Sequence, residues 1–67
     1  MIIIDDTGSD IFHTLEYEED TLFMYTREGR FNVYGVERKE IKEFMDDPCH
    51  EACMSFLKIH GYEYFPR

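Results

Sequence analysis

The chain has no tryptophan, two cysteines, two prolines, four glycines, and seven Lys and Arg against fifteen Asp and Glu. Each shortage excludes something. Two cysteines do not make a disulfide framework. Cys49 and Cys53 stand four apart in an expected helix, so a bridge between them would close almost no loop. Reduced thiols in a cytoplasmic setting are the simpler expectation. Gly8, Gly29, Gly35 and Gly61 are scattered over the chain, so no glycine-rich loop cradles a phosphate, and no cofactor is expected. No apolar run approaches the ~20 residues of a membrane span. Met1–Ile4 is followed at once by Asp5 and Asp6, without a basic leader, so no secretory signal is expected.

The shortage of basic residues is the strongest exclusion. The formal net charge is -8. Nucleic-acid binding draws on Lys and Arg that displace counterions from phosphates. A field of this sign repels such partners and attracts basic ones.

What remains is apolar bulk. Sixty-seven residues, read as one domain over 1–67, include six Phe and five Tyr. A chain of this size buries roughly 60% of the surface its unfolded form exposes. Its aromatic residues must therefore supply much of the core, with little left to wall a deep pocket.

The pattern predicts an α+β fold: an antiparallel β-meander of three to four strands, then two short helices packed on one face. Met1–Ile4 is a β-branched run fit for an exposed sheet edge, where a second copy could pair. A polar turn cluster follows, from Asp5 to Asp10. Ile11–Glu18 is the next strand candidate: Leu15 and Tyr17 alternate with Glu16 and Glu18 in a half-buried period of two, whereas Ile11 and Phe12 break the alternation and predict a bulge or a change of face near His13. Glu19-Asp20 makes a turn. From Thr21 to Thr26 the apolar residues fall on both faces, Leu22 and Met24 on one and Phe23 and Tyr25 on the other. Such a strand has one face against helices and the other in an interface, or is fully central. Arg27 to Arg30 is a hairpin connection in which Gly29 is expected to supply a positive φ. Phe31, Val33 and Tyr34 continue the next strand, with a kink at Gly35.

Glu37 to Asp47 is expected to be helical, with Ile41, Phe44 and Met45 on one face. Asp47 is expected to cap a second helix with Pro48 in its first position, and Gly61 to stop it. Its apolar stripe is Cys49, Ala52, Cys53, Phe56 and Leu57. Tyr62–Phe65 reads as extended and packed back on the body.

The residues Phe12, Leu15, Tyr17, Leu22, Met24, Gly29, Phe31 and Val33, with the Gly35-Val36 exit, resemble the KTSC domain family over about residues 9–62. That family is named for a C-terminal segment of some lysyl-tRNA synthetases and also occurs as free-standing small proteins. Phe31 and Val33 stand where the family has a Tyr-x-Tyr pair, so both phenolic hydroxyls are absent. The stretch after Pro48 reads Cys-His-Glu-Ala-Cys-Met-Ser rather than the family's small-Gly-aromatic-Asn pattern. The resemblance implies the strand-helix order above and, in the family, a suggested RNA-binding role that a charge of -8 opposes.

Three constellations could carry chemistry. Cys49 and Cys53 with His60 and His13 have the residue types of a zinc site. The cysteines coincide with the apolar stripe, however, so core thiols are the expectation and no metal is assigned. His50 points away from that stripe. Ser9 and Ser55 are isolated, and the carboxylate pairs sit in turns, so no catalytic group is assigned and an enzyme is not expected. Phe23, Tyr25, Phe31, Tyr34, Tyr62 and Tyr64 could form an aromatic platform. A nucleotide ligand would fit if Arg27, Arg30 or Lys39 gathered near those rings. The expected function is a non-enzymatic acidic module that binds a basic protein, in the manner of a viral or mobile-element inhibitor. Its candidate surface is Glu16, Glu18, Glu19, Asp20, Tyr25 and Tyr34. The alternative is a small-ligand or nucleotide-binding (sequestering) domain, oligomeric with ligand held between copies, and RNA binding in the manner suggested for the family is the third reading.

Overall fold

A computed structural model describes residues 1–5 and 7–67. Five strands run in sheet order β1-β2-β3-β4-β5, all neighbours antiparallel. They are β1 (Ile2–Ile4), β2 (Thr14–Glu18), β3 (Thr21–Tyr25), β4 (Gly29–Tyr34) and β5 (Tyr62–Pro66). Helices α1 (Arg38–Asp46) and α2 (His50–Ile59) lie between β4 and β5 in the chain. The fold is α+β with one strand more than expected. The extra strand is the aromatic C-terminal segment, which pairs along the outer side of β4. Asp6, expected within the turn cluster after β1, lies outside the described residues. Among the described residues no helix is long and apolar enough to cross a membrane.

Register follows from the apolar alternation. Ile2, Tyr17, Leu22, Val33 and Tyr62 stand opposite one another across the five strands, as do Ile4, Leu15, Met24, Phe31 and Tyr64. These two rows face the helices. Leu15, Tyr17, Leu22, Met24 and Val33 are buried with Phe12, Val36, Ile41, Phe44, Cys53 and Phe56 in one core. A one-residue slip of any strand would turn its whole set to solvent, so burial specifies the register.

The turns obey distinct rules. β2 and β3 are joined by Glu19 and Asp20, both with positive φ (47° and 64°), the backbone of a two-residue hairpin that matches strand twist. β3 and β4 are joined through Thr26, whose Oγ1 accepts the Glu28 and Gly29 N–H groups at 3.2 and 3.0 Å. Gly29 does not take the positive φ expected of it; it is the first residue of β4. Its missing side chain matters because β5 passes against it: a Cβ there would meet Tyr64 Oη at 2.8 Å and the backbone of Phe65 and Pro66. Gly35 does turn the chain, at φ 75°. Beyond it Val36 is held by its N–H to the Asp20 carbonyl (3.0 Å), while its own carbonyl accepts the Tyr17 hydroxyl at 2.6 Å. Burial, and next the nearby Asp20, push the Tyr17 phenol above its ordinary pKa.

Three other expectations are corrected. Met45 is 50% exposed, because α1 lays only Ile41 and Phe44 on the core. Asp47 ends α1 rather than capping α2; its N–H bonds to the Phe44 carbonyl at 3.1 Å. Cys49, in extended backbone, caps α2, and its carbonyl accepts the Cys53 N–H at 3.2 Å. Pro48 therefore precedes the helix instead of opening it. After Ile59 the chain leaves α2 extended through His60, because Gly61 must reach β4, where its carbonyl accepts the Tyr34 N–H at 3.1 Å.

Upstream of β2 the change of face is present: Phe12 is buried while Ile11 is exposed. A seryl hub holds this segment. Ser9 Oγ accepts the N–H groups of Ile11 and Phe12 (3.1 and 3.2 Å) and bonds His50 Nδ1 at 2.8 Å, tying it to the start of α2.

Candidate functional site

With the helices on one face, the other face of the sheet is left uncovered by secondary structure. Three cross-strand rows build it. The first is Glu18, Thr21 and Tyr34; the second Ile3, Glu16, Phe23, Asn32 and Glu63; the third Thr14, Tyr25, Arg30 and Phe65. Tyr34 and Phe65 remain 41% and 39% exposed. These two rings stand in different rows of the face and are left outside a core that is short of apolar material.

Four residues of the sequence-derived surface, Glu16, Glu18, Tyr25 and Tyr34, share this face. Glu19 and Asp20 form the turn at its end. The carboxylates orient the rings: Tyr25 Oη donates to Glu16 Oε2 at 3.3 Å and Tyr34 Oη to Glu63 Oε1 at 2.8 Å. Burial first, and then Glu16, raise the Tyr25 pKa. Arg30, named from the sequence as a cation that could gather near the rings, is on this face, and so are three residues that sequence reasoning left out: Asn32, Glu63 and Phe65. Arg30 and Asn32 were legible, since they alternate with Phe31 and Val33. Glu63 and Phe65 were not, because only the β4–β5 pairing puts them there.

The charges on this face are graded along the strands. Glu18, with Glu19 and Asp20, lies at the β2–β3 end; Arg30 lies at the β3–β4 end, beside Arg27 in the connection. The Arg30 guanidinium sits 4.9 Å from the Phe65 ring centre and 5.9 Å from that of Phe23. Such cation–π contacts contribute on the order of 0.5–1 kcal/mol at exposed sites. Two buried polar atoms on this face have no hydrogen-bond partner, Arg30 Nε and Asn32 Oδ1. Orphaned buried groups are uncommon and costly.

The six-ring platform divides between the two faces. Phe23, Tyr25 and Tyr34 stand on the open one. Phe31, Tyr62 and Tyr64 stand on the helix side, where Phe31 packs 5.5 Å from Tyr62 and 4.6 Å from Tyr64. Lys39 is spent on α1, 3.6 Å from Glu37.

The metal-type residues are dispersed. Cys53 is buried in the core and Cys49 caps α2. His60 Nε2 lies 3.0 Å from Glu40 Oε2, His50 bonds Ser9, and His13 bonds Thr14 at 3.0 Å. Among the described residues no three His, Cys, Asp or Glu side chains converge. Burial, and next the neighbouring Cys49, push the Cys53 thiol up to about 11 from 9.0. Below that window the thiol keeps its proton folded or unfolded. Within it the unfolded thiol ionises and the folded one does not, so alkali favours unfolding. Thermal melts followed by circular dichroism are expected to show stability falling as pH rises from 9.0 toward about 11, with a smaller fall in Cys53→Ala.

Comparison with known proteins decides no family. No family model, no curated protein and no solved structure matches the chain.

Proposed function

We propose that the chain is a non-catalytic, KTSC-like protein-binding module that docks by its open sheet face onto a basic surface of another protein. One observation carries this reading: exposed rings, Tyr34 and Phe65 among them, share a face with Glu16, Glu18 and Glu63, and with the Glu19-Asp20 turn at its end. Interfaces combine aromatic anchors, which give affinity, with charged groups, which steer the encounter. A net charge of -8 adds long-range attraction toward a basic partner. Occlusion of a basic host protein by a viral or mobile-element inhibitor is the biological role this suits.

The test is capture of partners by immobilised protein, followed by affinity measurement on the partner recovered. Reversing Glu16, Glu18, Glu19 and Asp20 to Lys is expected to weaken binding by about tenfold or more at low salt, mainly through slower association. Salt should release the wild-type complex. Binding indifferent to both the reversal and salt would remove the electrostatic part of the proposal.

Self-association through the Met1–Ile4 edge is a companion proposal. It is supported by the position of β1 at the end of the sheet, with Ile3 exposed. Light scattering is expected to give more than 8.1 kDa; a strictly monomeric mass at micromolar concentration ends it.

A further inference from the structure

At the basic end of the open face, Tyr25, Arg30, Phe65, Arg67 and His13 line one recess of about 370 Å³. The chain has fifteen Asp and Glu, yet among the described residues no Asp or Glu side chain lines it. Glu16 reaches only its margin, through the Tyr25 hydroxyl at 3.3 Å. Among the described residues the ion pairs are Lys39–Glu37 and His60–Glu40, so neither Arg30 nor Arg67 is in one. Among the described residues Arg67 Nη1 donates to the Arg27 carbonyl, at 3.3 Å. Arg30 Nε is buried without a partner.

A guanidinium presents its donors in a planar fork suited to an oxyanion, and stacks on flat rings. Arg30 Nε is itself closed to solvent, so a ligand would meet this guanidinium through its terminal N–H groups. The net charge of -8 disfavours each further negative charge on the ligand. Phe65, already against the guanidinium at 4.9 Å, keeps 39% of its surface exposed for a ligand ring.

We propose that this recess binds a small planar aromatic anion carrying a single charge, its oxyanion on Arg30 and Arg67 and its ring against Phe65. An aromatic carboxylate and a cyclic mononucleotide both have this chemistry. The site lies at the opposite end of the face from the Glu19-Asp20 turn and does not depend on the docking reading.

The experiment titrates wild-type protein with benzoate, 3′,5′-cyclic AMP, AMP and inorganic phosphate, each alone. The readouts are the arginine Nε–H and aromatic ring resonances in NMR spectra. Benzoate or cyclic AMP is expected to shift the Arg30 Nε–H and Phe65 ring signals saturably. Arg30→Lys, which keeps the charge and loses the fork, should weaken binding about tenfold, and Phe65→Leu several-fold. Response to benzoate alone assigns the carboxylate source, response to cyclic AMP alone the nucleotide source, and response to both the shared chemistry. Phosphate or AMP binding as tightly as the best of these overturns the singly charged aromatic assignment. Silence of the Arg30 and Phe65 signals with every probe overturns the site. No partner protein enters the measurement, so failure of this test leaves the docking proposal standing.

Discussion

Leu22→Ala is expected to leave the protein barely folded. Leu22 is fully buried on β3, in the middle of the sheet, between Tyr17 on β2 and Val33 on β4. Truncating a buried Leu to Ala costs about 2–5 kcal/mol, part lost transfer energy and part cavity. A chain of this length has a total stability of roughly 3–10 kcal/mol at typical values per residue. The melting midpoint should fall by roughly 10–30 °C, since each kcal/mol moves a small domain by several degrees. Circular dichroism melts measure it. Ile59→Ala, at a residue 74% exposed at the end of α2, should change stability by less than about 0.5 kcal/mol. Equal melting of Leu22→Ala and wild type would mean that a different strand register forms the core.

Gly29→Val is expected to detach β5 while leaving the other four strands paired. The new side chain would begin 2.8 Å from Tyr64 Oη and 3.0 Å from the Pro66 Cα, and closer still to the Phe65 carbonyl. Backbone atoms cannot rotate out of the way as a side-chain tip can. Every residue of β5 is exposed, so the strand is held chiefly by its ladder to β4 and by ring contacts such as Phe31–Tyr64. Hydrogen exchange should show the β5 amides losing protection, with β2 and β3 amides little changed. Phe65 would leave Arg30, and benzoate or cyclic AMP binding at the recess should be lost with it. Gly61→Ala is the matched control, because a Cβ there meets nothing within 4 Å. Unchanged β5 protection in Gly29→Val would show that the strand approaches β4 differently.

The two glycines differ instructively. A turn reading of Arg27–Arg30 assigns Gly29 to backbone freedom, which is a local property. Its actual constraint is the passage of a strand more than thirty residues away in sequence, and no local pattern encodes that. Gly35 is expected to kink the chain, and it does so at φ 75°. The misplaced cap at Asp47 has the same origin as the misread Gly29. Either helix could claim Asp47 by local rules, and packing of α1 through Ile41 and Phe44 decided for the first.

The site divides along the same line. The both-face apolar pattern of Leu22, Phe23, Met24 and Tyr25 points to a sheet with a second working surface. Period-two alternation puts Glu16, Glu18, Tyr25 and Tyr34 on it. The grouping of Arg30, Arg67 and Phe65 was out of reach, because it depends on the C-terminal segment returning to β4.

The sequence by itself determined the α+β class, the alternation that sorts the residues of β2, β3 and β4 between two faces, the acidic character and the helical stripes. These are short-range properties, repeating every two or three to four residues. Only the tertiary structure decided that Tyr62–Pro66 is a fifth strand, that Phe65 covers Arg30, and that a basic recess survives in an acidic chain. Those outcomes depend on which distant segments meet, and that is decided by the total burial and hydrogen bonding of the whole sheet.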